Sequence, residues 1–341
     1  MRQLVACFAA LALGIASDGA LAWGYQGHQV VGSIADQMLT PHASRMVNDV
    51  LGFELRIAAP WPDCVRSVKR APGGIFTYTH DPQFGVPCTG FESADEKSRM
   101  EDYVKRNWDN CLHLEEHGCH ESYHFADVPI QYDRYERVYA GTSEHDVVSA
   151  IRAAIAVLCG GPAPPPFSIK DRKEALFLLA HFVGDLHQPL HVGAIYLAAD
   201  DQSVTPPPNA GAAWDDSATA GGNFIADPAA KPATNLHAEW DHIAPELGTA
   251  ASPALLAAAR AVAEPAGRVE DWAAEWASET VVASHAAFSG IYFTHDLPVK
   301  RRWTAHFTDR EAYFQAQNEL QAAQLAKAGA RLAQIINAVW P

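Results

Sequence analysis

The stretch His181–His191 reads His-Phe-Val-Gly-Asp-Leu-His-Gln-Pro-Leu-His. His181 and Asp185 stand four residues apart, so on a helix both side chains lie on one face and can bind the same metal ion. Pro189 lacks a backbone donor and must kink or end that helix, and His191 follows just after it. The stretch therefore predicts a helix that carries a metal site near its end.

A second histidine–aspartate pair repeats this spacing. His237 and Asp241 again stand four residues apart, in His-Ala-Glu-Trp-Asp. Neutral imidazole and carboxylate are ligands that suit zinc, and no cysteine lies within either pair. A single pair of this kind on a helix is more often an ordinary polar pair. Two pairs, with further candidates upstream at His28, Asp63 and His124, favour a metal centre.

The spacing of apolar residues predicts helices through most of the chain. Strand-like alternation is scarce, so the predicted fold class is all-α, with long loops between the helices. We expect helices to start at Thr40-Pro41, at Ser143 (ending at Cys159), at Ser168 (ending near Gln188), and at a capping box formed by Thr308 and Glu311.

The first residues have the pattern of a secretion signal. Arg2 precedes the apolar stretch Leu4–Ile15, and Ala20-Leu21-Ala22 is a small-x-small cleavage pattern. We expect cleavage between Ala22 and Trp23 and export to a periplasm or out of the cell. No later stretch has the length of a transmembrane helix, and no repeat or linker divides the rest. Residues 1–22 are thus predicted to be a signal peptide and residues 23–341 a single soluble domain.

An exported chain can form disulfides, and six cysteines are present. One of them, Cys7, lies in the predicted signal peptide. The sequence does not fix how the others pair, but the pairing we favour is Cys111 with Cys119 and Cys64 with Cys88. Cys159 lies in an apolar helical pattern and is then predicted to be a buried free thiol.

Some polar clusters have a simpler interpretation than a functional site. The histidines around Cys111 and Cys119 suggest a further metal site, although a solvated disulfide loop is the interpretation that we favour for His113, His117 and His120. A run of acidic residues is predicted to be a solvated helix face: Glu270, Asp271, Glu275 and Glu279.

The formal net charge of −15 argues against a protein that holds nucleic acid through a broad basic surface. It does not argue against an enzyme that binds phosphate groups through metal ions, because bound cations can be the largest local charges in a site.

Taken in order, the motifs resemble those of the zinc-dependent, single-strand-specific secreted nucleases, which share a fold with bacterial phospholipase C. The segments that carry the resemblance are Trp23–His28, Trp61–Arg66, His124–Asp127, His181–His191, Gly221–Asn223 and Leu236–Asp241. The resemblance implies a single multi-helix domain of that type, with three Zn²⁺ ions bound.

The ligands implied by the resemblance fall on the histidines and aspartates already noted. The first zinc is expected at Asp63, His124, His181 and Asp185, the second at His191, His237 and Asp241, and the third at His28, the shared Asp185, and the amine and carbonyl of Trp23. A deprotonated α-amine is a good nitrogen donor, which gives a physical reason for a cleavage site directly before Trp23.

The resemblance also implies the reaction and its other residues. Water activated by zinc would attack phosphorus in line, with Asp63 orienting the water and Arg66 stabilising charge on the phosphate. Phe125 would stack on an unpaired base, Asp127 would bond its edge, and Leu197 would form the opposite wall. The expected substrates are single-stranded DNA and RNA, cut to 5′-phosphate products with an added 3′-nucleotidase activity, and the expected state is a monomer.

Two alternatives to a nuclease stay open at this point. A phospholipase C uses a similar tri-zinc site, and turnover of phosphatidylcholine rather than DNA would identify it. A secreted zinc-binding protein without catalysis is the second alternative. A positive charge at Arg66, beside Asp63, speaks against it because zinc storage does not require a cation for the transition state.

Overall fold

Helices account for most of the ordered structure. The computed structural model describes residues 23–82, 85–111, 118–295 and 302–341, so the predicted signal peptide lies outside the described residues. The α-helices are α1 Tyr25–Asp36, α2 Pro41–Leu51, α3 Leu55–Ala58, α4 Trp61–Cys64, α5 Gly85–Cys88, α6 Ala94–Arg106, α7 Val147–Leu158, α8 Arg172–Asp185, α9 Pro189–Val192, α10 Leu236–Asp241, α11 Pro253–Arg260, α12 Trp272–Ser284 and α13 Arg310–Val339.

The strands are short and form four small sheets among the described residues. They are β1 Val68–Ala71, β2 Ile75–Tyr78, β3 Val128–Pro129, β4 Gly193–Ala194, β5 Tyr196–Leu197, β6 Ser203–Val204, β7 Ile225–Asp227, β8 Thr234–Asn235, β9 Ile291–His295 and β10 Trp303–Phe307. The largest sheet has the order β8-β7-β10-β9, and the other three are the pairs β1-β2, β3-β4 and β5-β6. These sheets are small beside the helices. The predicted helical fold class is therefore confirmed.

Helix α8 lies at the centre of the molecule. Its residues from Glu174 to Asp185 are all buried, and α1, α3, α7 and α13 pack around it. A helix that is apolar nearly all round belongs in a core. Two polar side chains, His181 and Asp185, project from its last turn into that core. The fold therefore buries the His181–Asp185 pair at the end of α8.

The predicted helix starts are only partly right. Thr40 caps α2 as expected, with its Oγ1 accepting a hydrogen bond from the amide of Ala43 at 3.1 Å. The other three helices begin later, and an aspartate caps each: Asp146 for α7, Asp171 for α8 and Asp309 for α13. A carboxylate at the cap also interacts favourably with the positive end of the helix dipole. The predicted capping box of Thr308 and Glu311 is therefore wrong.

Two disulfides join the predicted cysteines. Cys64 bonds to Cys88 and Cys111 bonds to Cys119, so the favoured pairing is confirmed. Cys159 is a free cysteine, but it is exposed. The prediction of a buried thiol is wrong because α7 ends at Leu158 and Cys159 turns outward at its C-cap. Across the described residues, no helix is both long enough and apolar enough to span a bilayer.

Candidate metal centre

Three groups of buried histidines and aspartates gather at the end of α8. In each group the nitrogen and oxygen atoms that could bind a metal ion lie within 4.8 Å of one another. The groups are His28 with His181 and Asp185, Asp63 with His124 and His181, and His191 with His237 and Asp241. The structure thus brings together all eight histidines and aspartates that the sequence singled out as ligands.

The first two groups share side chains of α8. Nε2 of His181 lies 3.3 Å from Oδ2 of Asp185 and 3.9 Å from Oδ1 of Asp63. His124 joins from the turn that follows α6, with its Nδ1 2.9 Å from Oδ2 of Asp185 and 3.1 Å from Nε2 of His181. Asp63 comes from α4. Residues distant in sequence therefore meet beside the face of α8 that carries His181 and Asp185.

The two oxygens of Asp185 face different groups. Oδ2 faces His124 and His181, whereas Oδ1 lies 3.4 Å from Nε2 of His28. The His28 ring stacks on that of His181 with their centroids 3.7 Å apart. A carboxylate arranged in this way can bridge two metal ions.

The third group is formed by residues that follow Pro189 in the sequence. Nε2 of His237 lies 3.1 Å from Nε2 of His191 and 3.5 Å from Oδ2 of Asp241. His237 and Asp241 come from α10, where the four-residue spacing brings them onto one face. His191 comes from α9, which Pro189 starts as a separate short helix. α8 ends before Pro189, as predicted, and the chain changes direction there. This change of direction brings His191 next to α10.

Backbone carbonyls hold three of the imidazole rings. Nδ1 of His181 lies 2.8 Å from the oxygen of Ala59, Nδ1 of His191 lies 2.7 Å from that of His124, and Nδ1 of His237 lies 2.8 Å from that of Gly221. A carbonyl can only accept, so each Nδ1 carries the proton and each Nε2 presents its lone pair to the cluster. Metal-binding histidines are held in the same way in known sites.

The cluster leaves atoms that protein neighbours do not satisfy. Among the described residues, the buried atoms without a hydrogen-bond partner include both ring nitrogens of His28, both carboxylate oxygens of Asp63, Oδ1 of Asp185 and Oδ2 of Asp241. Buried polar atoms are normally paired, because each unpaired one costs free energy. Lone pairs that converge in this way fit divalent cations, and the nitrogen and oxygen donor set suits zinc.

In the metal-free protein, burial also determines the protonation state of these histidines and aspartates. It lowers the pKa of His181 to about 3 and that of His237 to about 4, so both imidazoles are neutral and able to bind a metal. Burial raises the pKa of Asp63 to about 7, and the nearby positive charge of Arg66 opposes that rise. Burial raises the pKa of Asp185 and of Asp241 well above the usual range, and the charge of Arg66 opposes both rises, so it acts on both sides of the cluster.

Arg66 and Trp23 lie at the edges of the cluster. Nε of Arg66 is 3.6 Å from Oε1 of Glu121, and the arginine side chain is 16 % exposed. Trp23 is fully buried, with its indole nitrogen donating to the oxygen of Gly184 at 2.8 Å. The amide of the next residue, Gly24, donates to the oxygen of Asp241 at 2.8 Å. Trp23 and Gly24 therefore lie between the ends of α8 and α10.

The three residues predicted to bind a base differ in how accessible they are. Phe125 is half-buried beside His124. Asp127 is also half-buried, in a left-handed backbone conformation with φ of 43°, and its Oδ1 lies against Gly221. Leu197 is only 1 % exposed and packs in an apolar cluster with Leu190 and other core residues. A base would have no leucine surface to stack on there, so this structure does not support Leu197 as a wall.

Two histidines left out of the predicted site are buried near it. His120 is 1 % exposed, so the expectation of a solvated loop is wrong at that position, while His113 and His117 lie outside the described residues. His187 is fully buried, and its Nε2 accepts from Arg331 at 2.9 Å. Arg331 in turn pairs with Glu279 at 2.7 Å, so this member of the predicted solvated acidic face takes part in an ion pair.

Gln188, which the motifs did not single out, donates its side-chain amide to Oδ1 of Asp241 at 2.7 Å. Its position beside Pro189 and between two ligands was the available signal.

The fold and the site together define a class: mostly helical proteins whose buried histidines and aspartates can hold several metal ions. The chain matches the S1/P1 nuclease family model over residues 23–341 and belongs to that family. It is also similar to Endonuclease 4 of Arabidopsis thaliana, with 22 % identity over 340 residues that cover 95 % of this chain and 91 % of the relative. The resemblance inferred from the motifs is confirmed, and the protein is a nuclease.

Proposed function

We propose that this nuclease is an exported, zinc-dependent phosphodiesterase that cuts single-stranded DNA and RNA and leaves 5′-phosphates, with 3′-nucleotidase activity. The observation that carries the proposal is the set of three buried groups of histidines and aspartates, two of which are joined through His181 and Asp185. Two disulfides support an oxidising compartment, as export would provide.

The residues that would hold the ions are those already grouped by geometry. Asp63, His124 and His181, with the Oδ2 of Asp185 that faces both histidines, would hold one ion, and His191, His237 and Asp241 a second. The α-amine and carbonyl of Trp23 would join His28 and Asp185 around the third. When bound, zinc supplies Lewis-acid polarisation of the phosphate and a water activated near neutral pH.

Asp63 and Arg66 are the residues we assign to the reaction itself. The carboxylate of Asp63 is buried and free of hydrogen bonds to other described residues, so it can accept one from the attacking water and orient it. Arg66 lies in the next turn, where it pairs with Glu121 and its charge opposes the rise in the pKa of Asp63 that burial causes. A guanidinium in that position stabilises the negative charge that grows on phosphate oxygens.

Phe125 and Asp127 are the residues we assign to base binding. Phe125 follows the ligand His124, so its ring can receive the base next to the cleaved bond. Stacking accepts any base but requires that the base be unpaired, which gives a physical reason for single-strand preference.

The proposal is tested on protein that begins at Trp23, with metal content and cleavage measured on the same preparation. We expect about three zinc ions per chain, chelator-sensitive cleavage of single-stranded DNA and RNA, and 5′-phosphate ends. A preparation with one extra residue before Trp23 should lose one ion and most of its activity. Zinc-loaded protein that hydrolyses phosphatidylcholine but neither nucleic acid would contradict the proposal, and so would protein that binds no zinc.

A further inference from the structure

Gln188 connects the two helices that carry the third ligand group. It is fully buried between the end of α8 and the start of α9. Its Nε2 donates to Oδ1 of Asp241 in α10 at 2.7 Å, and its Oε1 accepts from the amide of Leu190 in α9. One side chain thus fixes the start of the helix that carries His191 and, at the same time, the carboxylate of Asp241.

The hydrogen bond from Gln188 makes the two oxygens of Asp241 different. Oδ1 is taken by the amide, whereas Oδ2 has no hydrogen-bond partner among the described residues and lies 3.5 Å from Nε2 of His237. The amide donor is neutral, so it fixes the rotation of the carboxylate without cancelling its charge. The free oxygen, Oδ2, faces His237, whereas the oxygen bound by Gln188, Oδ1, lies 3.9 Å from Nε2 of His191.

The C-terminal helix α13 supports the same segments from behind. Gln321 donates to the oxygens of Trp240 and His242, both at 2.9 Å. Gln324 donates to the oxygen of His187 at 3.0 Å. Carbonyls in the last turn of a helix lack partners within that helix, so these bonds hold the end of α10 in place. With the backbones fixed on both sides, the Gln188 side chain decides where the Asp241 carboxylate points.

We propose that Gln188 is a positioning residue for a metal ion held by His191, His237 and Asp241. The inference rests on the proposed function, because it requires that this group bind zinc. Outer hydrogen bonds to ligating carboxylates typically change metal affinity by about 10- to 100-fold. Loss of the Gln188 side-chain bonds is therefore expected to weaken one of the three ions and to leave the other two as they are.

The test compares Gln188→Met with a matched control, Gln334→Met. Gln334 is a buried glutamine of α13 whose amide donates to the oxygen of Val262 at 3.1 Å, away from the ligand groups. Both changes keep side-chain length and remove a buried amide. Zinc is titrated into metal-free protein against a chromophoric chelator, and thermal unfolding of the metal-free proteins is recorded beside it. We expect one ion to bind about 10- to 100-fold more weakly in Gln188→Met only.

Gln188→Asn gives a second and milder variant. It keeps the amide but withdraws it by one carbon–carbon bond, about 1.5 Å. We expect it to fold like the wild type and to bind the same ion more weakly. Equal zinc affinities in Gln188→Asn and the wild type would overturn the inference, and so would a Gln188→Met variant that loses stability without losing affinity. Wild-type protein that binds no zinc at that group would instead refute the proposed function.

Discussion

A β-carbon on Gly184 would lie 2.9 Å from Nδ1 and 3.2 Å from Cε1 of His28. The glycine stands between His181 and Asp185 in α8, and the missing side chain is what allows α1 to bring His28 against them. The atom that such a β-carbon would meet belongs to the His28 imidazole. This ring is packed between other buried side chains and cannot move aside freely.

Gly184→Ala should therefore displace His28 and remove one metal ion. We expect loss of one zinc per chain and at least about a tenfold loss of activity, since an outer change at a metal site costs that much. Metal analysis and single-stranded DNA cleavage measure the two effects. Gly90→Ala is the control, because a β-carbon there has no atom within 4 Å. Unchanged metal content in Gly184→Ala would show that His28 is not a ligand.

Arg66→Ala should lower kcat without changing metal content. Arg66 stands beside the ligands, not among them, so all the ions should stay bound. Removal of one group that stabilises transition-state charge typically costs about 10²- to 10³-fold in kcat. Steady-state cleavage and metal analysis of the same preparation check this, with Arg45→Ala as the control for loss of an exposed cation on α2. A rise in KM alone would assign Arg66 to substrate binding.

Phe125→Ala should weaken the binding of nucleic acid but not the chemistry. Base–aromatic stacking contributes about 1–3 kcal/mol per base, so KM for a single-stranded oligonucleotide should rise about tenfold or more. Hydrolysis of bis(4-nitrophenyl) phosphate, a diester without a base, should stay near the wild-type rate. Phe125→Tyr keeps the ring and serves as the control. If both substrates were affected equally, Phe125 would have a structural role beside His124.

Asp36 should make the stability of the metal-free protein depend on pH. Burial raises the pKa of Asp36 to about 6, although its oxygens accept from the amides of Leu55 and Arg56. Since the pKa of an unfolded aspartate is about 3.9, the stabilisation is complete below that pH and is lost as the pH rises through about 6. The rise in the pKa of Asp36 contributes up to about 3 kcal/mol to the free energy of unfolding at low pH, at 1.36 kcal/mol per pKa unit.

Asp36→Asn removes this titration. Between pH 4 and pH 7 the free energy of unfolding of the wild type should therefore fall relative to that of the variant. Denaturant unfolding with chelator present measures both, and the exposed Asp49→Asn is the control for loss of one negative charge. Parallel pH profiles of Asp36→Asn and the wild type would contradict the assignment.

The residue types and spacings were enough to predict the helical fold class and to pick out the side chains that meet at the end of α8. A four-residue spacing on a helix has one geometric meaning, which is why His181 with Asp185, and His237 with Asp241, could be paired from sequence. Gln188 could not be found in this way, because its importance depends on where α10 lies in three dimensions.

Other features were also beyond the sequence. Strands of two residues, such as β3 and β4, have no periodicity to detect and form only because distant segments meet. The burial of His120 depends on packing between elements far apart in the chain, and the exposure of Cys159 depends on α7 ending one residue before it. The helix starts shifted because several polar residues near each start are able to cap it, and the tertiary fold decides among them.

The two disulfides lie on segments that carry proposed metal ligands. Cys64 follows Asp63 directly, and Cys119 begins the 3₁₀ turn that ends at His124. In the reduced chain, four thiols would compete for zinc close to the proper ligands, and thiolates bind zinc strongly. Oxidation removes those competitors and fixes both segments. The order of maturation follows: cysteine oxidation should come before metal loading, and zinc supplied too early would be captured by the wrong ligands.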